Sequence, residues 1–287
     1  MVGTGAVGVT GLFDGLFDDA ALFPPGNAPM ADAVPAHREL RRRLGELVGP
    51  FVVPAARLDE LTQHLGSGSV FGVSLIAAPR DLPAATQRVQ DDPRLSLTAV
   101  EVPVVADAAA AAQAVRTLDA ILPATATAAV ELPRTSARDE VLDVLAGTRY
   151  RAKLRTGGVR AELFPSSAEL AGTLEACFSR GVRLKCTAGL HHAVRHTDPA
   201  TGFEHHGFLN VLLAVEALTE GASVGVAEDW LQEADSRVLG RAVGLWSPAD
   251  MARTRAVFTS FGTCNVLEPV EDLVALGLLS PTERISA

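Results

Sequence analysis

Lysine is almost missing from this chain. Of 25 basic residues only Lys153 and Lys185 are lysine, and the rest are arginine. Aromatic residues are also scarce, 5% of 287 with one tyrosine and two tryptophans, which argues against an aromatic-rich binding surface. Alanine, leucine and valine dominate instead, as suits helices packed closely on parallel strands. The three cysteines, Cys177, Cys186 and Cys264, form no CxxC pair and leave one over, which excludes a disulfide framework and points to a reducing, cytoplasmic setting. There is no basic tail, and the formal net charge is -9, so nucleic acid is not an expected partner. No apolar run reaches the length of a membrane span, and the apolar first eleven residues lack the basic flank of a secretion signal.

What is present is a repeat. Apolar runs at 51–53, 70–78, 97–102 and 127–132 close at Pro54, Pro79, Pro103 and Pro133, and each is followed by a helical stretch. Two further runs, 150–155 and 182–187, close in glycine and are separated by a helix over 167–180. Short apolar runs alternating with helices mark βαβ units and a parallel sheet, and a proline after a strand ends its ladder. Six such units in 287 residues predict a single-domain α/β fold of the (β/α)8 barrel type, spanning 1–287, with residues 1–45 as an N-terminal arm, loop and helix. The last quarter is less regular. An apolar helix covers 208–218, and 222–227 reads as a seventh strand or as a turn before a helix at 228–239. A strand at 256–261 precedes a helix at 269–278. An open doubly wound sheet is the alternative architecture. Gly3, Gly5 and Gly8 spell a GxGxxG pattern with no strand before it, so no dinucleotide site is expected there. Asp18 and Asp19 stand before a rigid loop, Pro24 to Pro29, that reads either as a lid over a site or as a cap on a barrel end.

Side chains alternate along a strand. That parity puts Arg151, Lys153 and Arg155 on one face, Arg183, Lys185 and Thr187 on the matching face of the next strand, and Glu101 and Glu131 on the same side of two earlier ones. The last of them on each strand fall at the carboxyl-terminal ends, where barrel active sites are built. A lysine can lose its proton on desolvation and act as a base or form an imine, which arginine cannot do. A ring of structural salt bridges is the competing explanation, but buried ion pairs stabilise poorly compared with apolar packing, so five converging charges suggest a site.

The segment Lys185-Cys186-Thr187-Ala188-Gly189 resembles the Lys-Thr-x-Thr-Gly signature of deoxyribose-phosphate aldolase, a class I aldolase barrel. It matches at Lys185 and Gly189, departs at Cys186, Thr187 and Ala188, and extends over about six residues. That family carries its second lysine on the following strand, whereas Lys153 lies on the preceding one. The resemblance implies that Lys185 is the imine nucleophile, that Lys153 lowers its pKa by like-charge proximity, and that Glu131 or Glu101 transfers protons.

Five of the seven histidines fall between 191 and 206. This loop follows the sixth run, so His192 is a candidate acid–base group. His191, His192, His205 and His206 form an alternative ligand set for a divalent metal such as zinc or manganese, although no named metal motif matches. Arg155, Arg195, Thr187 and the Gly157-Gly158 turn are candidates for binding the substrate, with Asn210 and, near the last strand, Ser260. The resulting expectation is a lyase of aldolase type acting on a small anionic oxo acid or sugar phosphate, without a cofactor. A metal-dependent lyase or hydrolase and a non-catalytic binding barrel are the alternatives, and assembly into a homo-oligomer is left open.

Overall fold

The computed structural model describes residues 10–280. The GxGxxG pattern at Gly3 to Gly8 lies outside them. Eight parallel strands close into a barrel: β1 (Phe17–Asp19), β2 (Val48–Pro54), β3 (Phe71–Ile76), β4 (Leu95–Val102), β5 (Thr127–Glu131), β6 (Arg151–Arg155), β7 (Leu184–Thr187) and, last in the chain, β10 (Phe258–Thr263), which pairs with both β7 and β1. Closure rules out the open doubly wound sheet and establishes the (β/α)8 architecture.

Helices α1 (Met30–Leu44), α2 (Leu58–His64), α3 (Leu82–Asp91), α4 (Ala108–Ile121), α5 (Arg138–Leu145) and α6 (Ser167–Ser179) connect the strands from β1 to β7. The strands read as continuous apolar runs because they are covered on both faces. Val100, Val102, Ala128, Val130, Ala152, Leu154, Leu184 and Cys186 are buried beneath this helical layer. Their neighbours of opposite parity, including Glu101, Glu131, Lys153 and Lys185, are turned into the barrel. At α6 the Ser166 hydroxyl accepts from the Glu169 amide, and at α4 the Asp107 carboxylate accepts from Ala110. Each cap satisfies an amide that the helix itself leaves free.

Three expectations are corrected. The first strand of the barrel lies inside the segment expected to be an arm. It has only three residues, two of them acidic, so it carries too little apolar signal to stand out. The 222–227 segment is not a strand: Ser223 caps α8 (Val224–Gln232), and Val224 and Val226 face solvent. The closing strand also begins two residues later than expected, because 256–257 end α10 (Pro248–Val257).

The irregular quarter lies between β7 and β10. It holds a small hairpin, β8 (His196–Thr197) with β9 (Glu204–His205), then α7 (Phe208–Thr219), α8, α9 (Ser236–Gly244) and α10. Helix α7 is apolar almost all round because α8, α9 and α10 pack on it from outside. Helix α11 (Leu267–Ala275) follows β10. Among the described residues, no helix is long and apolar enough to cross a membrane.

Candidate active site at the carboxyl-terminal mouth of the barrel

The register sets the inner residues side by side: Glu131 with Lys153, Lys153 with Lys185, and Lys185 with Ser260. Their side chains form one buried chain of alternating charge. Lys185 Nζ lies 2.6 Å from Asp18 Oδ2 and 2.6 Å from Glu101 Oε1. Lys153 Nζ lies 3.1 Å from the other oxygen of Glu101 and 3.0 Å from Glu131 Oε2. Arg155 ends the chain, its Nε donating to Glu131 Oε1 at 2.9 Å. Two hydroxyls complete it, Ser74 donating to Glu101 at 3.0 Å and Ser260 to Asp18 at 3.0 Å. Three carboxylates balance three cations, which is what permits so many charges inside a barrel.

The electrostatics follow from that pairing. Burial favours the neutral form of Glu101, but the two lysines outweigh it and hold the carboxyl far below its ordinary range. Burial likewise favours neutral Lys185, but Asp18 and Glu101 outweigh it and raise its pKa. The net direction is opposite to the lowered pKa that the aldolase resemblance implies for Lys185, because its two carboxylates outweigh both burial and the like charge of Arg151.

A cavity of about 260 Å³ opens above this network. It is lined by Glu101, Glu131, Lys153, Arg155, Thr187 and His191, with Ala20, Phe23 and Pro24 of the loop after β1 and Cys264 after β10 forming other parts of the wall. Lys185 does not line it and is only 1% exposed. Arg155 has a third of its side chain exposed. Its two terminal nitrogens have no partner among the described residues, so they are free to take an anion. The Pro24 loop is thus part of the wall of the mouth.

His191 brings a further cation. Its Nδ1 lies 2.9 Å from Glu268 Oε2 and 3.9 Å from the Cys264 sulfur. Burial works against the charged ring, but these contacts outweigh it and push the pKa up to about 9. The turn that delivers His191 is tightly built. Gly189 has φ +79°, and a Cβ there would fall 2.7 Å from the Thr156 carbonyl oxygen. The β6 and β7 loops can therefore approach this closely only through glycine.

Several expected site residues lie elsewhere. Gly157 and Gly158 do not line the cavity: a side chain on Gly157 would strike Gly189 and Phe164, and one on Gly158 would strike Leu163, so both are packing positions. Arg195 pairs with Glu204 at 2.7 Å and donates to Ser167, away from the mouth. Asn210 is fully buried, its Oδ1 accepting from the Arg195 amide and its Nδ2 donating to the Trp230 and Glu233 carbonyls. It anchors the loop rather than a ligand. Ser260 is inside β10, not after it, and serves Asp18. His192 is turned outward onto Asp272 at 3.1 Å. Beyond His191 the long loop after β7 folds over α11, so proximity in sequence to a strand end does not carry its later residues into the mouth.

The alternative metal set does not converge. His206 Nε2 donates to the Pro165 carbonyl at 2.8 Å, while His205 packs on Phe164 and His196. Among the described residues no three His, Cys, Asp or Glu side chains are grouped to hold a metal ion. Asp18 is the main residue that sequence reading left without a role. Its signal was an adjacent pair of acids, which a strand splits to opposite faces: Asp18 points inward to Lys185, and Asp19 outward to His37 at 2.9 Å. No protein-family model, curated protein or solved structure matches the chain, so the character of this site rests on its own geometry.

Proposed function

We propose that this chain is a lyase of the imine-forming kind, acting on a small carbonyl compound that carries a carboxylate or phosphate, with Lys153 as the working lysine. One observation carries the reading: Lys153 and Arg155, two residues apart on β6, line the same small cavity beside two carboxylates. Arg155 and the His191 cation receive the anionic group of the substrate. Glu131 takes a proton from the Lys153 ammonium, and the free amine adds to the carbonyl carbon. Loss of water, with the proton returned by the carboxylic acid, gives an iminium. When the bond between the α and β carbons breaks, its electron pair moves into the iminium to give an enamine, while the β-hydroxyl gives its proton to Glu131 and the fragment leaves as an aldehyde or ketone. Protonation of the enamine and hydrolysis then release the second carbonyl product and the lysine. Lys185 lies beneath, holding Asp18 and Glu101 in place. A cavity of about 260 Å³ suits a substrate of a few carbons.

Borohydride reduction in the presence of a panel of small oxo acids and sugar phosphates tests this, read by peptide mass. Adduct at Lys153, absent in Lys153→Arg and weakened by Arg155→Gln, is the expected result. Adduct at Lys185 would return the nucleophile to the residue that the aldolase resemblance implies. Turnover that survives in both Lys153→Arg and Lys185→Arg would end the imine reading.

A further inference from the structure

The opposite end of the barrel holds a second cavity, of about 1230 Å³. Arg151 reaches it from β6, one inward position before Lys153. The Arg151 side chain is buried, with 8% of the residue exposed. One terminal nitrogen donates to Thr259 Oγ1 at 2.9 Å and the other to Thr127 Oγ1 at 2.8 Å, while the buried Nε has no partner among the described residues. Both acceptors are neutral. Among the described residues no carboxylate lies within ion-pair distance of this guanidinium, in contrast to Lys153 and Lys185, which have two each.

The wall of this cavity adds cations. Arg38 donates to the Leu65 and Ser69 carbonyls, and Arg41 to the Val48 carbonyl, so neither is neutralised by an acid. The carboxylates along the same wall are Asp14, Asp18 and Glu46. Asp18 is committed to Lys185 and Ser260, and Asp14 and Glu46 are exposed to solvent. A buried guanidinium with no carboxylate at ion-pair distance among the described residues is costly, although Asp18 and Glu101 act on it from farther off, and its planar fork matches a carboxylate or phosphate.

We infer that the amino-terminal mouth of the barrel is a second ligand site, which takes a small molecule bearing a carboxylate or phosphate group, with Arg151 as its innermost contact and Arg38 and Arg41 at its wall. The site is separate from the catalytic mouth and does not depend on the reaction assigned there. Asp18 and Ser260 border it and also hold Lys185, so an anion on Arg151 sits next to the network that supports the other mouth.

Titration calorimetry and thermal unfolding of the full chain with inorganic phosphate, pyrophosphate and citrate test the assignment, and the difference between pyrophosphate and citrate separates phosphate from carboxylate ligands. Saturable binding of at least one is expected to persist in Arg155→Gln, in which the other mouth is disabled, and to weaken at least tenfold when Arg151→Gln is added to that variant. Absence of saturable binding by all three would overturn the inference. So would equal affinity when Arg151→Gln is added to Arg155→Gln, or loss of all saturable binding in Arg155→Gln alone, which would put the anion at the other mouth. If Arg151→Gln does not fold, Arg38→Gln on the partly exposed wall decides: a several-fold loss supports the site, and unaltered affinity overturns it.

Discussion

Lys153 and Lys185 stand in register on neighbouring strands and hold opposite oxygens of one carboxylate, Glu101. Two lysines thus share a single counter-ion at the centre of the barrel, and each has a second acid on its far side, Glu131 for Lys153 and Asp18 for Lys185. The arrangement makes Glu101 the residue on which both amines depend.

Glu101→Gln is therefore expected to cost more than loss of an ordinary hydrogen bond. Removing one partner of a buried ion pair costs about 3–5 kcal/mol, because the remaining charge stays buried. Ser74→Ala, which removes one hydroxyl donor from the same carboxylate, is expected to cost about 1–3 kcal/mol. Urea unfolding of both variants compares them. A Glu101→Gln loss no larger than that of Ser74→Ala would mean that the two lysines are not held by this carboxylate.

Stability should also depend on pH through His191. Its pKa rises on folding from an ordinary 6.5 to about 9. A group raised in this way stabilises fully below 6.5, and that contribution is lost as pH climbs through 9. One unit corresponds to about 1.4 kcal/mol, so the loss is at most about 3 kcal/mol, reduced by the solvent exposure of Glu268. Glu101 and Lys185 bound the same profile from outside. The depressed Glu101 gives stability present above 4.5 and lost on further acidification. The raised Lys185 gives stability present below 10.5 and lost above it. Unfolding free energies measured between pH 6 and pH 9 should decline in the native chain and decline less in His191→Gln. Parallel profiles would show that the His191 contacts with Glu268 and Cys264 do not form.

The barrel was legible wherever burial on both faces left a continuous apolar run, which is why six strands stood out with their closing prolines and glycines. The inward parity of Lys153, Lys185, Glu101 and Glu131 was legible for the same reason, since alternation assigns a face without any knowledge of the partner. What escaped were features that local pattern does not encode. Strand β1 borrows its stability from β2 and β10 rather than from its own three residues. Ser223 turned an apolar stretch into a helix through one cap. The direction of the long loop after β7 is set by distant contacts, His192 and the Ala193 amide with Asp272, and the Arg195 amide with Asn210. Those contacts drew His192, Arg195 and Asn210 away from the mouth that their sequence neighbourhood suggested.

Asn210 provides a direct test of that anchoring. Its amide satisfies three backbone groups at once, at 2.8, 2.7 and 2.8 Å, tying the β7 loop to the end of α8. Asn210→Leu keeps the volume roughly constant but strands those groups, each at a cost of about 1–3 kcal/mol where water cannot reach. Asn210→Asp keeps the acceptor for Arg195 but sets a charge against the Trp230 and Glu233 carbonyls, so it should fare no better. Both variants are expected to unfold at least about 2 kcal/mol more easily than the native chain. Amide exchange should quicken at Arg195 while protection of the barrel strands is retained. A role confined to ligand contact would leave stability and Arg195 exchange unaltered, and that outcome would restore Asn210 to the binding site.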